Sequence, residues 1–171
     1  MGGRIALRAA AAQLGQHPPP LLCNERGAPI LPSGLVGSVS HKRTLAIGMV
    51  APPSAGSLGV DIEDYGPPRP AVAKKVLQPQ EFDSLASLPP DRRWIGTLLR
   101  FSIKESVYKA LDPYVGRYVG FQEANVALDL EGGATVRLDL TQGEGPFSVD
   151  ARYEWLHGRI LTSVRIKPAD G

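Results

Sequence analysis

The spacing of apolar and polar positions changes period along the chain, and each change marks an element. Residues 3–15 are Ala- and Leu-rich at helical spacing and are closed by Gly15 and the Pro18-Pro19-Pro20 run, which cannot continue a helix. Residues 21–34 carry Gly27, Pro29, Pro32 and Gly34 and are expected as loop. Two short strands are predicted at 36–40 and 44–50. Pro52-Pro53 and Gly56 mark a turn before a third strand at 58–63, β-branched in its middle. Two short helices are predicted over 71–77 and 79–88. A long helix follows Pro89-Pro90 over about 91–111 and is expected to stop at Pro113. The last third alternates apolar and polar residues: Val126, Leu128, Leu130, then Val136, Leu138, Leu140, with Gly132-Gly133 as a hairpin turn between them. Strands at 147–155 and 159–166 follow, joined at His157-Gly158. An antiparallel meander beside helices is an α+β fold. No repeat at a fixed period is present.

Composition narrows the class. With 171 residues, 43% apolar and 21% charged, the chain is an ordinary globular one. The net charge of +2 is too small to argue for nucleic acid. Its distribution is uneven: residues 1–43 carry Arg4, Arg8, Arg26, Lys42 and Arg43 against the single acid Glu25, so that part attracts anions unless it is a solvated basic face. Cys23 stands alone, which rules out an intramolecular disulfide or a cysteine metal cluster and fits a reducing cytoplasm. No apolar run reaches membrane-spanning length.

Three constellations carry candidate chemistry. On the strand at 58–63, alternation puts Asp61 and Glu63 on one face and Val60 and Ile62 on the other. Two adjacent carboxylates suit Mg²⁺, which commonly takes one or two carboxylates plus substrate phosphates; a solvated acidic edge strand has the same pattern. On the long helix, Glu105 and Lys109 lie about 40° apart on one face, while Trp94, Ile95, Leu98, Leu99, Phe101, Ile103, Val107, Tyr108 and Leu111 make it apolar nearly all round. An i,i+4 ion pair explains that spacing; a metal carboxylate with a phosphate-binding lysine also explains the charges on a buried helix. Gly37-Ser38-Val39-Ser40-His41-Lys42 puts small hydroxyl residues and donors at a strand end, either open to an anion or simply at the surface. No Ser/His/Asp order, zinc spacing or P-loop is present.

Together these segments resemble the 4′-phosphopantetheinyl transferase superfamily. Its pattern is Gly-Val-Asp-x-Glu, roughly forty residues, then Phe/Trp-Ser-x-Lys-Glu-Ser/Ala-x-x-Lys. Here the pattern is met by Gly59-Val60-Asp61-Ile62-Glu63 and by Phe101 to Lys109, with Asp61 and Glu105 44 positions apart. Gly37 to His41 matches upstream, and the likeness runs on through Arg26-Gly27-Ala28-Pro29 and Tyr118-Val119-Gly120-Phe121. The nearest branch is similar to the monomeric enzymes related to enterobactin synthase component D. The resemblance implies two similar α/β halves about a pseudo-twofold axis, about 1–66 and about 67–171, with coenzyme A in the cleft between them. It implies transfer of phosphopantetheine from coenzyme A to a serine of an apo acyl or peptidyl carrier protein, with release of 3′,5′-ADP. It further implies a monomer; the small net charge, the lack of a long apolar run and the lone cysteine lead to the expectation of a cytoplasmic protein that engages neither membrane nor nucleic acid. Position by position, Asp61, Glu63 and Glu105 would hold Mg²⁺. Glu105 would help deprotonate the carrier serine, and Lys104 and Lys109 would neutralise the pyrophosphate and the departing 3′,5′-ADP. His41 and Arg26 would hold the 3′-phosphate, with Ser40, Arg4 and Arg8 in the same coenzyme A-binding set. Lys74 and Lys75, between the two acidic motifs, are expected to steer an acidic carrier helix.

Relatives of this branch carry a further segment ahead of the helix that starts here at Gly3. The resemblance thus implies a trimmed gene start, a fragment or a shortened natural form. Two other readings use the same residues: another Mg²⁺-dependent phosphoryl-transfer or hydrolytic enzyme, and a non-catalytic module that binds coenzyme A or a carrier.

Overall fold

A computed structural model describes residues 2–129 and 131–169. In chain order the elements are α1 (Gly2–Gln13), β1 (Leu22–Cys23), β2 (Pro29–Ile30), β3 (Val36–His41), β4 (Ala46–Ala51), β5 (Ser57–Asp64), α2 (Pro70–Val76), α3 (Pro79–Ala86), α4 (Pro90–Val115), β6 (Ala124–Leu128), β7 (Gly133–Leu138), β8 (Phe147–Leu156) and β9 (Arg159–Pro168). The α+β class and the C-terminal meander are as the alternation predicts. Leu130, expected to extend that alternation, lies outside the described residues.

Two local expectations are corrected. Residues 21–34 are not all loop. Asn24 Oδ1 accepts the backbone N–H groups of Arg26 and Ala28, and Gly27 has φ +81°; this tight turn pairs β1 with β2. Pro113 does not stop α4. A proline removes one N–H, but Leu111 and Val115 pack on the core on either side of it. The helix runs on until Gly116, at φ 63°, caps it by donating to the Asp112 carbonyl.

The antiparallel pair β3–β4 carries α1 on one face. Contact is close at Gly48, where a Cβ would sit 2.6 Å from the backbone of Ala6 and Leu7. The second sheet is antiparallel with order β5-β9-β8-β7-β6, and α4 lies across it. Hydrogen bonding therefore joins residues 57–64 to the C-terminal elements, ahead of the division expected near residue 66. The main core forms where Ile103, Val107 and Leu111 of α4 meet Val126, Ala151, Val164 and Ile166 of the sheet. At Gly59 α4 comes close to β5: a Cβ there would collide with the Ser106 carbonyl oxygen and lie 2.7 Å from its carbon. A glycine in the Gly-Val-Asp-x-Glu segment thus has a packing reason.

The two sheets meet along β3 and β5 through side chains. Val60 N–H donates to Ser38 Oγ (3.1 Å) and Ile62 N–H to Ser40 Oγ (3.3 Å). The offset is constant, so the strands run side by side in the same direction. The serine hydroxyls satisfy the free edge of β5 and hold it in the middle of the molecule. Among the described residues, no helix is long and apolar enough to cross a membrane.

Candidate active site

Alternation along β5 puts Val60 and Ile62 into the core, as expected. The opposite face is also covered: Asp61 is 5% exposed and Glu63 7%. This excludes the solvated acidic edge. Asp61 accepts at Oδ1 from Ser40 Oγ (2.9 Å) and Lys109 Nζ (3.0 Å), and at Oδ2 from Ser102 Oγ (2.9 Å). Glu63 accepts from Lys42 Nζ at 2.6 Å. Lys109 does not pair with Glu105 one turn away; it reaches across to Asp61 and to the Val60 carbonyl (2.8 Å). The i,i+4 ion pair is therefore not what places these charges on α4.

The acids share one field. Burial pushes the Glu105 carboxyl above the usual carboxylate range; the charge of Asp61 adds to this, Lys109 opposes it, and Glu63 raises it further. Burial likewise raises Glu63, the Lys42 hydrogen bond lowers it, and Asp61 raises it. Three partly desolvated carboxylates that repel one another, two already drawing in ammonium groups, form a donor set suited to a hard divalent cation. As placed, no three His, Cys, Asp or Glu side chains among the described residues stand together as a finished metal cage. The donor chemistry fits, with Lys109 and Lys42 now paired to two of the three acids.

Clefts flank this cluster. On one side Arg26, Ser38, Tyr108, Lys109 and Asp112 line a cavity of about 370 Å³. On the other, exposed His41 with Lys42, Arg43, Thr44 and Gly2 bounds an open recess of about 660 Å³. Arg26 is engaged within the protein: it donates to the Gly116 carbonyl (2.8 Å), and its Nε lies 3.0 Å from Asp112 Oδ1. Ser40 is buried against Asp61 rather than open to a cleft. Arg4 and Arg8 donate to the carbonyls of Leu21 (3.1 Å) and Pro18 (3.2 Å), holding the 18–21 segment on α1.

Lys104 departs from the expectation that it faces the pyrophosphate. It is 3% exposed and points away from the carboxylates. Its Nζ donates to Glu81 Oε2 (2.7 Å) and to the carbonyls of Val76 (2.9 Å) and Phe121 (3.0 Å). Adjacent residues on a helix diverge by about 100°; Lys104 is buried against Glu81 while half-buried Glu105 is not, though both line a small cavity of about 110 Å³ with Tyr108 and Phe121. An apolar groove of about 340 Å³ lies apart from the carboxylates, between α2, α3 and the start of α4, with Leu77, Phe82 and Trp94 in its lining and Arg69, Lys74 and Arg93 at its charged edge. Lys75 instead sits 6.0 Å from the Phe121 ring centroid.

Residues 57–164, which contain β5 to β8, the first part of β9 and all three carboxylates, match the sequence profile of the 4′-phosphopantetheinyl transferase superfamily. The chain belongs to that superfamily. Residues 1–51, the α1 and β3–β4 unit, match the 4′-phosphopantetheinyl transferase N-terminal domain. The chain is 40% identical to 4′-phosphopantetheinyl transferase Svp of Streptomyces mobaraensis, over 98% of this chain and 71% of that protein. It is 37% identical to 4′-phosphopantetheinyl transferase Npt of Nocardia iowensis, over 96% and 79% respectively. Enterobactin synthase component D of Salmonella typhimurium is 36% identical over 74% of this chain and 52% of its own length. In fold, the chain is similar to a holo-(acyl-carrier-protein) synthase from Bacillus anthracis solved with CoA (3′,5′-ADP). The TM-score is 0.54 at 19% identity, covering 67% of this chain and 97% of that one.

Against this phosphopantetheinyl transferase frame, sequence reasoning missed Glu81, Thr162 and the hydroxyls of Ser102 and Ser106. Ser102 and Ser106 lie inside the Phe-Ser-x-Lys-Glu-Ser segment and so carried a signal. Thr162 alternates with Ile160 and Val164 on the buried face of β9 and reads as core.

Proposed function

We propose that this chain transfers the 4′-phosphopantetheine group of coenzyme A to a serine hydroxyl of an apo acyl or peptidyl carrier protein, releasing 3′,5′-ADP. One observation carries the reading: Glu105 of α4 lies in the electrostatic field of Asp61 and Glu63 of β5, and the lysines paired with those two acids, Lys109 and Lys42, each line a basic cleft, one with Arg26 and the other with His41 and Arg43. Anion-attracting walls around an acidic centre suit a polyphosphate whose charge must be neutralised while it reacts. Asp61, Glu63 and Glu105 are the residues that would hold Mg²⁺. When bound, the ion supplies charge neutralisation at the pyrophosphate and a template for its orientation.

The remaining roles belong to the chain itself. The serine oxygen forms the new bond to the pantetheine-linked phosphorus, and the phosphoanhydride bond to the adenosine phosphate breaks. The hydroxyl proton passes to the Glu105 carboxylate, whose raised proton affinity makes it a better base than an ordinary glutamate. Lys109, partly exposed in its cleft, neutralises the leaving phosphate. Arg26 and His41 recognise the 3′-phosphate, Arg26 by leaving Asp112. Arg69, Lys74 and Lys75 give the carrier an electropositive approach. The exposed, unpaired Cys23 suits a cytoplasmic protein.

The test is to incubate the protein with coenzyme A, Mg²⁺ and an apo-carrier. The expected result is one phosphopantetheine added per carrier and an equal amount of 3′,5′-ADP. Asp61→Ala should lower the rate roughly 100- to 1,000-fold, as loss of a transition-state-stabilising group does. Nucleotide cleavage with an unmodified carrier, or an unimpaired Asp61→Ala protein, would overturn the proposal.

A further inference from the structure

Between α4 and β9 lie three hydroxyl groups with no solvent access. Ser102, Ser106 and Thr162 are each 0% exposed. Burying a hydroxyl is costly unless it is hydrogen-bonded, and alanine or valine would fill these positions without that cost. The three are linked: Ser106 Oγ lies 2.8 Å from Thr162 Oγ1, Thr162 Oγ1 lies 2.9 Å from Ser102 Oγ, and Ser102 Oγ lies 2.9 Å from Asp61 Oδ2.

The carboxylate end sets the polarity. An ionised carboxylate only accepts, so the single Ser102 proton goes to Asp61. The Ser102 oxygen is then an acceptor for Thr162, whose proton is directed to Ser102 through either the hydroxyl or the carbonyl oxygen (2.9 Å). The Ser106 proton is directed to Thr162, at Oγ1 or at the carbonyl oxygen (3.3 Å). Where Thr162 and Ser106 donate to the neighbouring hydroxyl rather than to a carbonyl, the donors run one way, Ser106 to Thr162 to Ser102 to Asp61, the arrangement in which neighbouring bonds polarise one another.

The fold makes this line of contacts inevitable. Ser102 and Ser106 are one turn apart on the face of α4 that meets the sheet. Thr162 stands directly opposite Asp61 in the β5–β9 register, so both side chains rise from the same face toward α4. From the other side, Ser40 Oγ donates to Asp61 Oδ1 at 2.9 Å. Asp61 is thus held at Oδ1 by Ser40 of β3 and Lys109 of α4, and at Oδ2 by Ser102 of α4.

We propose that the hydroxyl chain Ser106–Thr162–Ser102 fixes the aim of the Asp61 carboxylate toward the cleft, making Ser102 and Thr162 positioning residues for divalent-ion binding. Bonds to main-chain carbonyls alone would account for Thr162 and Ser106 as ties between α4 and β9. They do not account for Ser102, whose proton is spent on Asp61. The inference rests on the transferase reading above, in that it gives Asp61 a cation to hold.

The experiment titrates coenzyme A calorimetrically into wild type, Thr162→Val, Thr162→Ser and Ser102→Ala, once in EDTA and once in Mg²⁺, with thermal melts of each protein. For wild type, Mg²⁺ should tighten coenzyme A binding. Thr162→Val, which keeps shape and loses the hydroxyl, should lose about tenfold of that Mg²⁺-dependent gain, as removal of an outer-shell partner of a metal ligand does. Its affinity in EDTA should be unchanged. Thr162→Ser should keep the gain, and Ser102→Ala should lose at least as much as Thr162→Val. A Thr162→Val protein with the full Mg²⁺ gain overturns the proposal, whatever its melting temperature. Equal loss in Thr162→Val and Thr162→Ser overturns it too, because the effect is then one of volume. Should Thr162→Val not fold, Ser102→Ala decides alone, a full gain refuting the idea. A wild-type protein indifferent to Mg²⁺ overturns the divalent-ion reading itself, and this role with it.

Discussion

Lys104 separates two accounts of the Lys-Glu pair on α4. The family resemblance would put it on the pyrophosphate; the structure puts it in a closed ion pair with Glu81. That pair is almost wholly buried, with side-chain exposures of 1% for Lys104 and 2% for Glu81. Burial lowers the Lys104 ammonium from its usual value, and the hydrogen bond it donates to Glu81 pulls it back up. Glu81 is otherwise satisfied by two backbone donors, Gln78 N–H and Val126 N–H, each at 2.7 Å. Replacing Lys104 by Met keeps much of its length and leaves the Glu81 charge buried without its partner. Breaking a buried pair from one side costs about 3–5 kcal/mol. For a chain of this size, about 2–4 °C per kcal/mol puts the drop in Tm at roughly 6–20 °C. Adding Glu81→Gln removes the stranded charge and retains an oxygen for one backbone donor. The double variant should therefore melt well above Lys104→Met, with a coupling energy of about 0.5–3 kcal/mol. Circular dichroism melts of the four proteins give the cycle, and calorimetry at low temperature gives coenzyme A affinity, expected to be unchanged. A Lys104→Met protein that melts like wild type but binds coenzyme A tenfold or more weakly would refute the reasoning. That is what loss of a charge-assisted phosphate contact of about 1.5–3 kcal/mol would produce.

Two further outcomes are expected. Gly59→Ala drives a methyl group into the Ser106 carbonyl, and overpacking of this kind costs about 1–3 kcal/mol or more; urea unfolding should show the loss, together with weakened Mg²⁺-dependent binding because Ser106, Ser102 and Glu105 move with the helix. Glu105→Gln should slow transfer roughly 100- to 1,000-fold yet raise the Tm of the metal-free protein at neutral pH. The sign follows from its raised proton affinity: a carboxyl held above its unfolded value supports the fold fully below that value, about 4.3, and the support is lost as pH rises through the folded pKa. Melts at stepped pH should show the gain from Glu105→Gln shrinking as pH falls; a Tm at neutral pH equal to or below wild type would contradict this account.

Much of the molecule was legible before its structure. Period-two alternation over 126–140, with the strands read at 147–155 and 159–166, located the meander, because a strand with one face on a helix must bury every second side chain. Proline runs set the start of α4, and alternation on β5 put Asp61 and Glu63 opposite Val60 and Ile62. The residue types at 61, 63 and 105 carried the chemical reading. What sequence alone left open was direction. A helix apolar nearly all round has no unique inner face, so nothing in Lys104-Glu105 told that the lysine would be buried against Glu81. That was decided by Glu81, brought in by α3 from more than twenty residues away. Lys109 had two acids within reach, and the packing of α4 on β5 at Gly59 gave it Asp61 instead of its helical neighbour. Thr162 was invisible for the same reason: a buried threonine on an alternating strand looks like core until the register sets it opposite Asp61. Local sequence determines period, breaks and the kinds of group available. Which groups meet depends on contacts between elements distant along the chain, and those exist only once the sheet and its helix have closed on each other.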